Sequence, residues 1–519
     1  MLDLSVHGGM VFDGRGGEAV RADIGIEGDR IAAVGDLSLA EARFCVDASG
    51  RNVCPGFVDV HSHSDAYLLI EPSAPSKIHQ GVTTEVVGNC GASAAPRTER
   101  NRMPSDWLEH KYPGTWQSFA EYRTLLEKVK PAVNAVLLVG HNTLRGGVLG
   151  YENRAATADE RRQMLALLQK SLDEGARGMS TGLIYSPGMF TPPEEIVELA
   201  RAVAARHGTY ATHMRNEGPK LIEAIDEALA LGRESGVSVQ ISHLKTSGEG
   251  NWHLIDAALD RLRKARAGGV AVAADRYPYM AGNTDLDVVF PAWAAEGGRD
   301  VIMARLRDPG QRQKLVRDMR DSRPDDAWKG VVIGSVAAKQ YARFRGQPLV
   351  AVAKELGMHP VEAIVTLVEA DNLKTMAFFF GMSEENMKRI FAEPYVMVGS
   401  DASIRCPTGP LSKDYPHPRA YGTFPRFLRM SLEGETVPLP EAVRKMTALP
   451  AEKFGLRDRG RLEKGMKADI VVFDPDKVRD TATYADPHQF AAGIDHVIVN
   501  GIVTLKDGKL TGQRGGRVL

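Results

Sequence analysis

Five residues of metal-ligand type and one acid fall at the ends of apolar, strand-like segments of this chain. His61 and His63 close PGFVDVHSHSD, and Cys90 follows TTEVVGN. His213 closes GTYATH, His243 closes VSVQISH, and Asp401 closes YVMVGSD. Alternate residues of a strand point to one side, so the two imidazoles of His-Ser-His aim into the same space. Imidazoles with one thiolate and one carboxylate form a borderline-soft donor set, which suits zinc better than magnesium or calcium. A catalytic zinc keeps one position open and brings the pKa of water there to about 7. Asp401 is the only acid of the set and the natural acceptor of that water's proton. Each residue has a plainer reading on its own. Cys90 in GNCGAS suits a small buried hydrophobe, and His213 or His243 suits a core histidine satisfied by backbone. Their shared placement is what argues for ligands. His141, in VGHNTLRG, also follows an apolar segment, and a pocket-lining role and a structural one stay open for it.

These residues need a scaffold that gathers strand ends. Eight apolar segments recur through the middle of the chain, at 53–61, 83–89, 134–140, 176–181, 208–213, 237–243, 270–275 and 395–401. Helical patterns lie between several of them, such as 159–175 and 219–236, both closing at glycine. Eight β-α units predict an α/β fold, a closed (β/α)8 TIM-like barrel with its site at the C-terminal strand ends. A doubly wound open sheet is the alternative. The connection across 276–394 is too long for one helix and predicts an inserted subdomain, about 286–345, before the last barrel strand. Residues 1–54 and 461–519 read as hairpins, with Asn500-Gly501 as a turn, and together predict one small β-sandwich around a barrel domain at 55–460.

Bulk composition narrows the function classes. The chain has 519 residues, 43% hydrophobic and 25% charged, with a net charge of -1. Nothing in that balance points to nucleic acid or a membrane, and a small-molecule substrate is expected. The start, MLDLSVHGGMVFDG, lacks the basic flank and apolar stretch of a signal peptide. Four irregularly spaced cysteines do not suggest a disulfide framework, and a reduced, cytoplasmic setting is expected.

Together these motifs resemble the amidohydrolase superfamily, and within it the D-aminoacylase (N-acyl-D-amino-acid deacylase) family. The resemblance rests on PGFVDVHSHSD, VVGNCGAS, GLIYSPG, THMRNEG, ISHLK, DRYPYMAG, VGSDAS, HPRAYGTFPR and GRLEKGMKADIVVFDPD, and so covers nearly the whole chain. It implies zinc-dependent hydrolysis of N-acyl-D-amino acids to a carboxylate and a free D-amino acid. It implies one tight zinc on Cys90, His213 and His243. His61 and His63 then form a second, weaker metal position or help bind substrate. Asp401 becomes the general base and then the acid for the leaving amine. Lys245, Tyr185 and either Tyr277 or Tyr279 are the implied holders of the substrate carboxylate. The role of Arg215, in MRNEG, stays open, with a pairing to Glu217 as one option and a contact to substrate as another. Many cyclic-amide hydrolases of the superfamily use a carboxylated lysine from strand four, and ARGMSTGLIY has none, which weighs against a hydantoinase-like or dihydropyrimidinase-like reaction. A non-catalytic assembly module is the remaining alternative, and such relatives usually lose metal ligands. Asp285 and Asp287, with no arginine after DRYPY before Arg299, lean toward a neutral, apolar or basic substrate side chain, and a plain reading in which they cap a helix or face water stays equally open.

Overall fold

A computed structural model describes residues 1–101, 103, 104, 107, 108 and 110–519. All eight apolar segments contain strands, in two parallel sheets. One has three strands, Phe57–Asp59, Val82–Val87 and Asn134–Leu137. The other has six, running from Val139–Gly140 through Gly178–Gly182, Thr209–His213, Ser238–Ile241 and Val272–Arg276 to Val396–Val398. The third segment contributes to both sheets, broken only at Leu138. At the other edges Ser62 bridges Ala402 in parallel, just beyond the first and last strands.

The side chains follow the period-2 rule of strands. Val58, Val60, Val86, Val136, Leu138, Ala211, Ala273 and Met397 share one small buried cluster with Ala451, Phe454 and Leu456. Their neighbours on the opposite face, Phe57, Val82, Val87, Ala135 and Leu137, pack into the large cluster that includes the helices. The helices end where the chain provides a stop. Ala158–Asp173 opens on a Thr157/Glu160 capping box, and Leu221–Ser235 closes on Gly236 in the left-handed region, φ 72°.

The first segment holds a finding that its apolar run concealed. VCPGFVDVH is two strands, not one. Asn52–Pro55 pairs with Ile470–Phe473 and with Leu2–Val11, whereas Phe57–Asp59 pairs with Val82–Val87. Gly56 is the joint: a Cβ there would sit 2.1 Å from Thr83 Oγ1, so only glycine lets the chain turn this closely. Both chain ends therefore meet in one nine-stranded sheet. On Ile470–Phe473, Ile470 and Val472 face one cluster while Val471 and Phe473 face the other, so the sheet is buried on both sides.

Residues 281–380 add a three-stranded antiparallel sheet, Ala281–Asp285, Met376–Phe380 and Val331–Ile333. Its own apolar cluster runs from Leu286 to Ala377. The helices Leu349–Leu356 and Pro360–Ala370 pack into that cluster, so residues on both sides of position 345 share one core.

Candidate metal centre

Four donors converge beyond the strand ends. Cys90 Sγ lies 3.3 Å from His61 Nε2, 3.7 Å from His213 Nδ1 and 3.6 Å from His243 Nε2. A tetrahedral zinc with one sulfur and one nitrogen ligand separates those atoms by about 3.5 Å. His61, Cys90, His243 and Asp401 offer ligand atoms all within 4.8 Å of one another. The donor types and spacing thus fit a zinc ion. Cys90, His213 and His243 can hold one ion, and His61, His63 and Asp401 can bound a second position that shares the Cys90 side. His63 Nε2 is 3.1 Å from Asp401 Oδ1, and His61 Nε2 is 3.4 Å from the same oxygen.

Local backbone delivers these groups. Cys90 has φ 50°, His243 φ 37° and Asp401 φ 51°, all left-handed. Cys90 sits between Gly88 and Gly91, where a Cβ would lie 2.2 Å from Leu138 O and from Asn142 Oδ1 respectively. The strand can therefore fold back at once and expose the sulfur. Asp275 braces two histidines: its Oδ1 accepts the His243 backbone N–H at 2.8 Å and sits 3.2 Å from His61 Nδ1. A carboxylate on Nδ1 leaves Nε2 free to face the centre. Glu217 does the same for His243, with Oε1 2.8 Å from Nδ1.

The electrostatics follow from burial and neighbours. Burial alone would raise the Cys90 thiol, but His61 and the hydrogen bonds from His213 and His243 outweigh it and hold it well below its ordinary value. Burial also works against ionising Asp401; Arg419, His243 and His61 reverse that and hold its carboxyl well below the usual range. Arg419 Nη1 stands 2.8 Å from Asp401 Oδ2.

A second polar network lies on the other side of the same loops. Lys77, fully buried, reaches Asp59 Oδ2 at 2.7 Å and Glu85 Oε1 at 3.0 Å. Its ammonium also donates to Ser400 Oγ and Ala402 O, both at 2.9 Å, the residues on either side of Asp401. Asp59 accepts the His61 N–H at 3.2 Å and the Ser400 N–H at 2.8 Å. Glu85 Oε1 accepts from Ser62 at 2.6 Å and Ser64 at 2.8 Å.

The structure brings His61, His63, Cys90, His213, His243 and Asp401 together. Lys245 is beside them, paired with Glu217 and 2.7 Å from His243 Nδ1. The Tyr185 ring meets His213 edge-on at 5.1 Å, and its hydroxyl accepts from Thr284 at 3.1 Å. Tyr277 is buried next to Arg276 and Arg419, its hydroxyl without a hydrogen-bond partner. Tyr279 instead gives its hydroxyl to Asp480 at 3.0 Å. His141 Nε2 lies 3.3 Å from Glu195, which Arg145 also holds. Arg215 pairs with Glu227 at 2.8 Å, not with Glu217, because Lys245 and His243 already occupy that carboxylate. Asp285, Asp287 and Arg299 line a cavity of about 670 Å³ that reaches Tyr185.

Sequence reasoning missed Glu217, Asp275, Arg419 and Lys77. Asp275 stands one residue inside the strand end and was signalled by alternation with Tyr277. Arg419 stands in a segment quoted for resemblance alone. Lys77 carried no signal, since a lysine on a short helix reads as solvated.

The amidohydrolase family model matches residues 45–505. D-aminoacylase of Alcaligenes xylosoxydans xylosoxydans is 40% identical over all of this chain and 97% of its own. N-acyl-D-glutamate deacylase of the same organism is 38% identical, over 100% of this chain and 96% of its own. Among solved structures, N-acyl-D-glutamate deacylase of Bordetella bronchiseptica, complexed with zinc and a phosphonate inhibitor, superposes with a TM-score of 0.85 at 36% identity, covering 100% of this chain and 99% of its own. A family match over most of the chain, and near-complete relatives at this identity, show that the chain belongs to the amidohydrolase family, in its D-aminoacylase branch.

Proposed function

We propose that the chain is a zinc-dependent N-acyl-D-amino-acid deacylase, cleaving the linear amide to a carboxylate and a free D-amino acid. The observation that carries this is the convergence of Cys90, His213 and His243 with Asp401 beside them. We propose further that the parallel strands close into a (β/α)8 barrel, with the terminal sheet as a sandwich and residues near 281–380 as the insertion. The small cluster drawing on six strands and the Ser62–Ala402 bridge support closure. Free cysteines suit a reduced, cytoplasmic setting. No described helix is long and apolar enough to cross a membrane.

Cys90, His213 and His243 would hold a zinc ion, which would supply Lewis acidity for the amide carbonyl and lower the pKa of water there. Asp401 accepts the proton of the attacking water. As the C–N bond breaks, the same carboxyl passes that proton to the leaving amine. Arg419 keeps Asp401 ionised and aimed before the reaction. Lys245, Tyr185 and Tyr277 hold the substrate carboxylate, and His61 and His63 bound the weaker metal position.

Cyclic-amide hydrolysis is the second reading, and the absence of lysine from Gly178–Gly182 disfavours the bridging chemistry it uses. A silent assembly module is disfavoured by the intact donor set. The test is hydrolysis of N-acetyl amino acids, D beside L, by zinc-loaded protein. Turnover of the D series alone is expected. No turnover of either series with zinc bound would overturn the substrate reading.

A further inference from the structure

The metal centre lies beyond one end of the parallel strands, and a separate cavity lies at the other end of two of them. Ser238–Ile241 and Val272–Arg276 pair in parallel, with His243 just past the first and Asp275 near the close of the second. The cavity, about 320 Å³, is lined by the opening residues of both, Ser238 and Val272. Its only charged lining residues among those described are Arg266 and Lys453.

Lys453 ends the helix Ala448–Lys453 and reaches the start of the first strand. Its ammonium donates to Ser238 Oγ at 2.7 Å and to Val239 O at 2.6 Å. An ammonium has three donors, so one is left over. Arg266, on the helix Ile255–Ala267, gives Nη1 to Val272 O at the start of the second strand. Its guanidinium lies 4.9 Å from the centre of the Tyr395 ring. Among the described residues neither cation has a carboxylate within ion-pair distance. The acids on neighbouring elements are taken: Glu393 pairs with Arg263, and Asp260 with Lys264 at 2.7 Å. Glu452 is exposed and does not line the cavity.

Two like charges thus share a partly dry cavity with no counter-charge from the chain. Burial, and then the charge of Arg266, push the Lys453 ammonium down to about 7. Such a pair is costly to keep, and an anion placed between the two offsets the cost. There is room for one to enter: Gly269, left-handed at φ 88°, has open space where a Cβ would stand.

We propose that this cavity binds a small oxyanion, a carboxylate or phosphate group held between Lys453 and Arg266. The site is remote from the metal centre, and the proposal does not rest on the reaction assigned above. Lys453 is anchored to one strand and Arg266 to the next, so a shared anion clamps the two strand starts together. Its effect falls on stability and not on turnover.

The experiment titrates the zinc-loaded full chain with inorganic phosphate and, separately, with acetate, at ionic strength held constant with chloride. Binding is followed by calorimetry and by melting temperature. In wild type the melting temperature should rise and then level off as the site fills. Lys453→Met and Arg266→Met should each weaken that binding by about 10- to 100-fold. Lys264→Met, an exposed lysine on the helix of Arg266, should leave it unchanged. The anion that binds more tightly tells whether the ligand carries phosphate or carboxylate. Anions also have access to the metal centre, so saturable binding that survives both Lys453→Met and Arg266→Met belongs elsewhere and overturns the proposal. A rise without levelling, equal in all four proteins, is general salt stabilisation and overturns it as well. Should Lys453→Met fail to fold, Arg266→Met carries the same test, because that side chain is exposed.

Discussion

Two buried polar clusters flank the same loops, and they are built on opposite rules. Around Lys77 each charge meets an opposite charge of the chain within 3.0 Å. Around Cys90 three ring nitrogens crowd one sulfur at 3.3 to 3.7 Å. The first cluster is complete as folded and fixes positions. The second gathers nitrogen, sulfur and carboxylate groups of ligand type, an arrangement that could hold a metal ion. The difference shows which buried polar group to read as framework and which as site, although burial is the same for both.

The largest test of this contrast is Asp401→Asn, which keeps the shape and removes the proposed proton acceptor. Turnover of N-acetyl-D-leucine should fall by about 10² to 10⁴, with zinc content by atomic spectroscopy unchanged. Normal turnover would remove Asp401 from the reaction. Next comes the framework. Lys77→Met leaves Asp59 and Glu85 facing each other without their cation, and should cost about 3 to 5 kcal/mol in denaturant unfolding. A loss confined to kcat, with stability intact, would move Lys77 from framework to site. A smaller effect is expected of Glu217→Gln, which weakens the brace on His243. Zinc affinity should drop about 10- to 100-fold in a chelator competition. An unchanged affinity would mean that Glu217 serves Lys245 alone. The smallest is Lys245→Ala, expected to raise KM for N-acetyl-D-leucine about 2- to 10-fold at similar kcat. An unchanged KM there would leave the anion to Tyr185 and Tyr277.

The two clusters were not equally legible beforehand. His61, Cys90, His213, His243 and Asp401 end apolar segments, so residue type and strand position point the same way. Glu217 and Arg419 sit on loops and a helix start, where charged residues ordinarily face water. Only the return path of the chain brings them inward. Lys77 is harder still, because the short helix Pro75–Ile78 has no periodicity to read. The double strand at Gly56 was hidden because apolar alternation continues across it, while its pairing partners change. The insertion had a readable beginning but not an end. Its helices Leu349–Leu356 and Pro360–Ala370 have ordinary amphipathic patterns, and nothing in such a pattern says which core receives it.

The left-handed backbone at Cys90, His243 and Asp401 bears on how this site can change over generations. Each such residue holds back about 1–2 kcal/mol that glycine would release. Drift toward a sturdier apoprotein therefore runs through the very positions that carry the donors. Every step to glycine there removes one of the proposed ligands or the proposed acid. Selection for activity must keep opposing that drift, and stabilising designs should begin in the terminal sheet, away from these three residues.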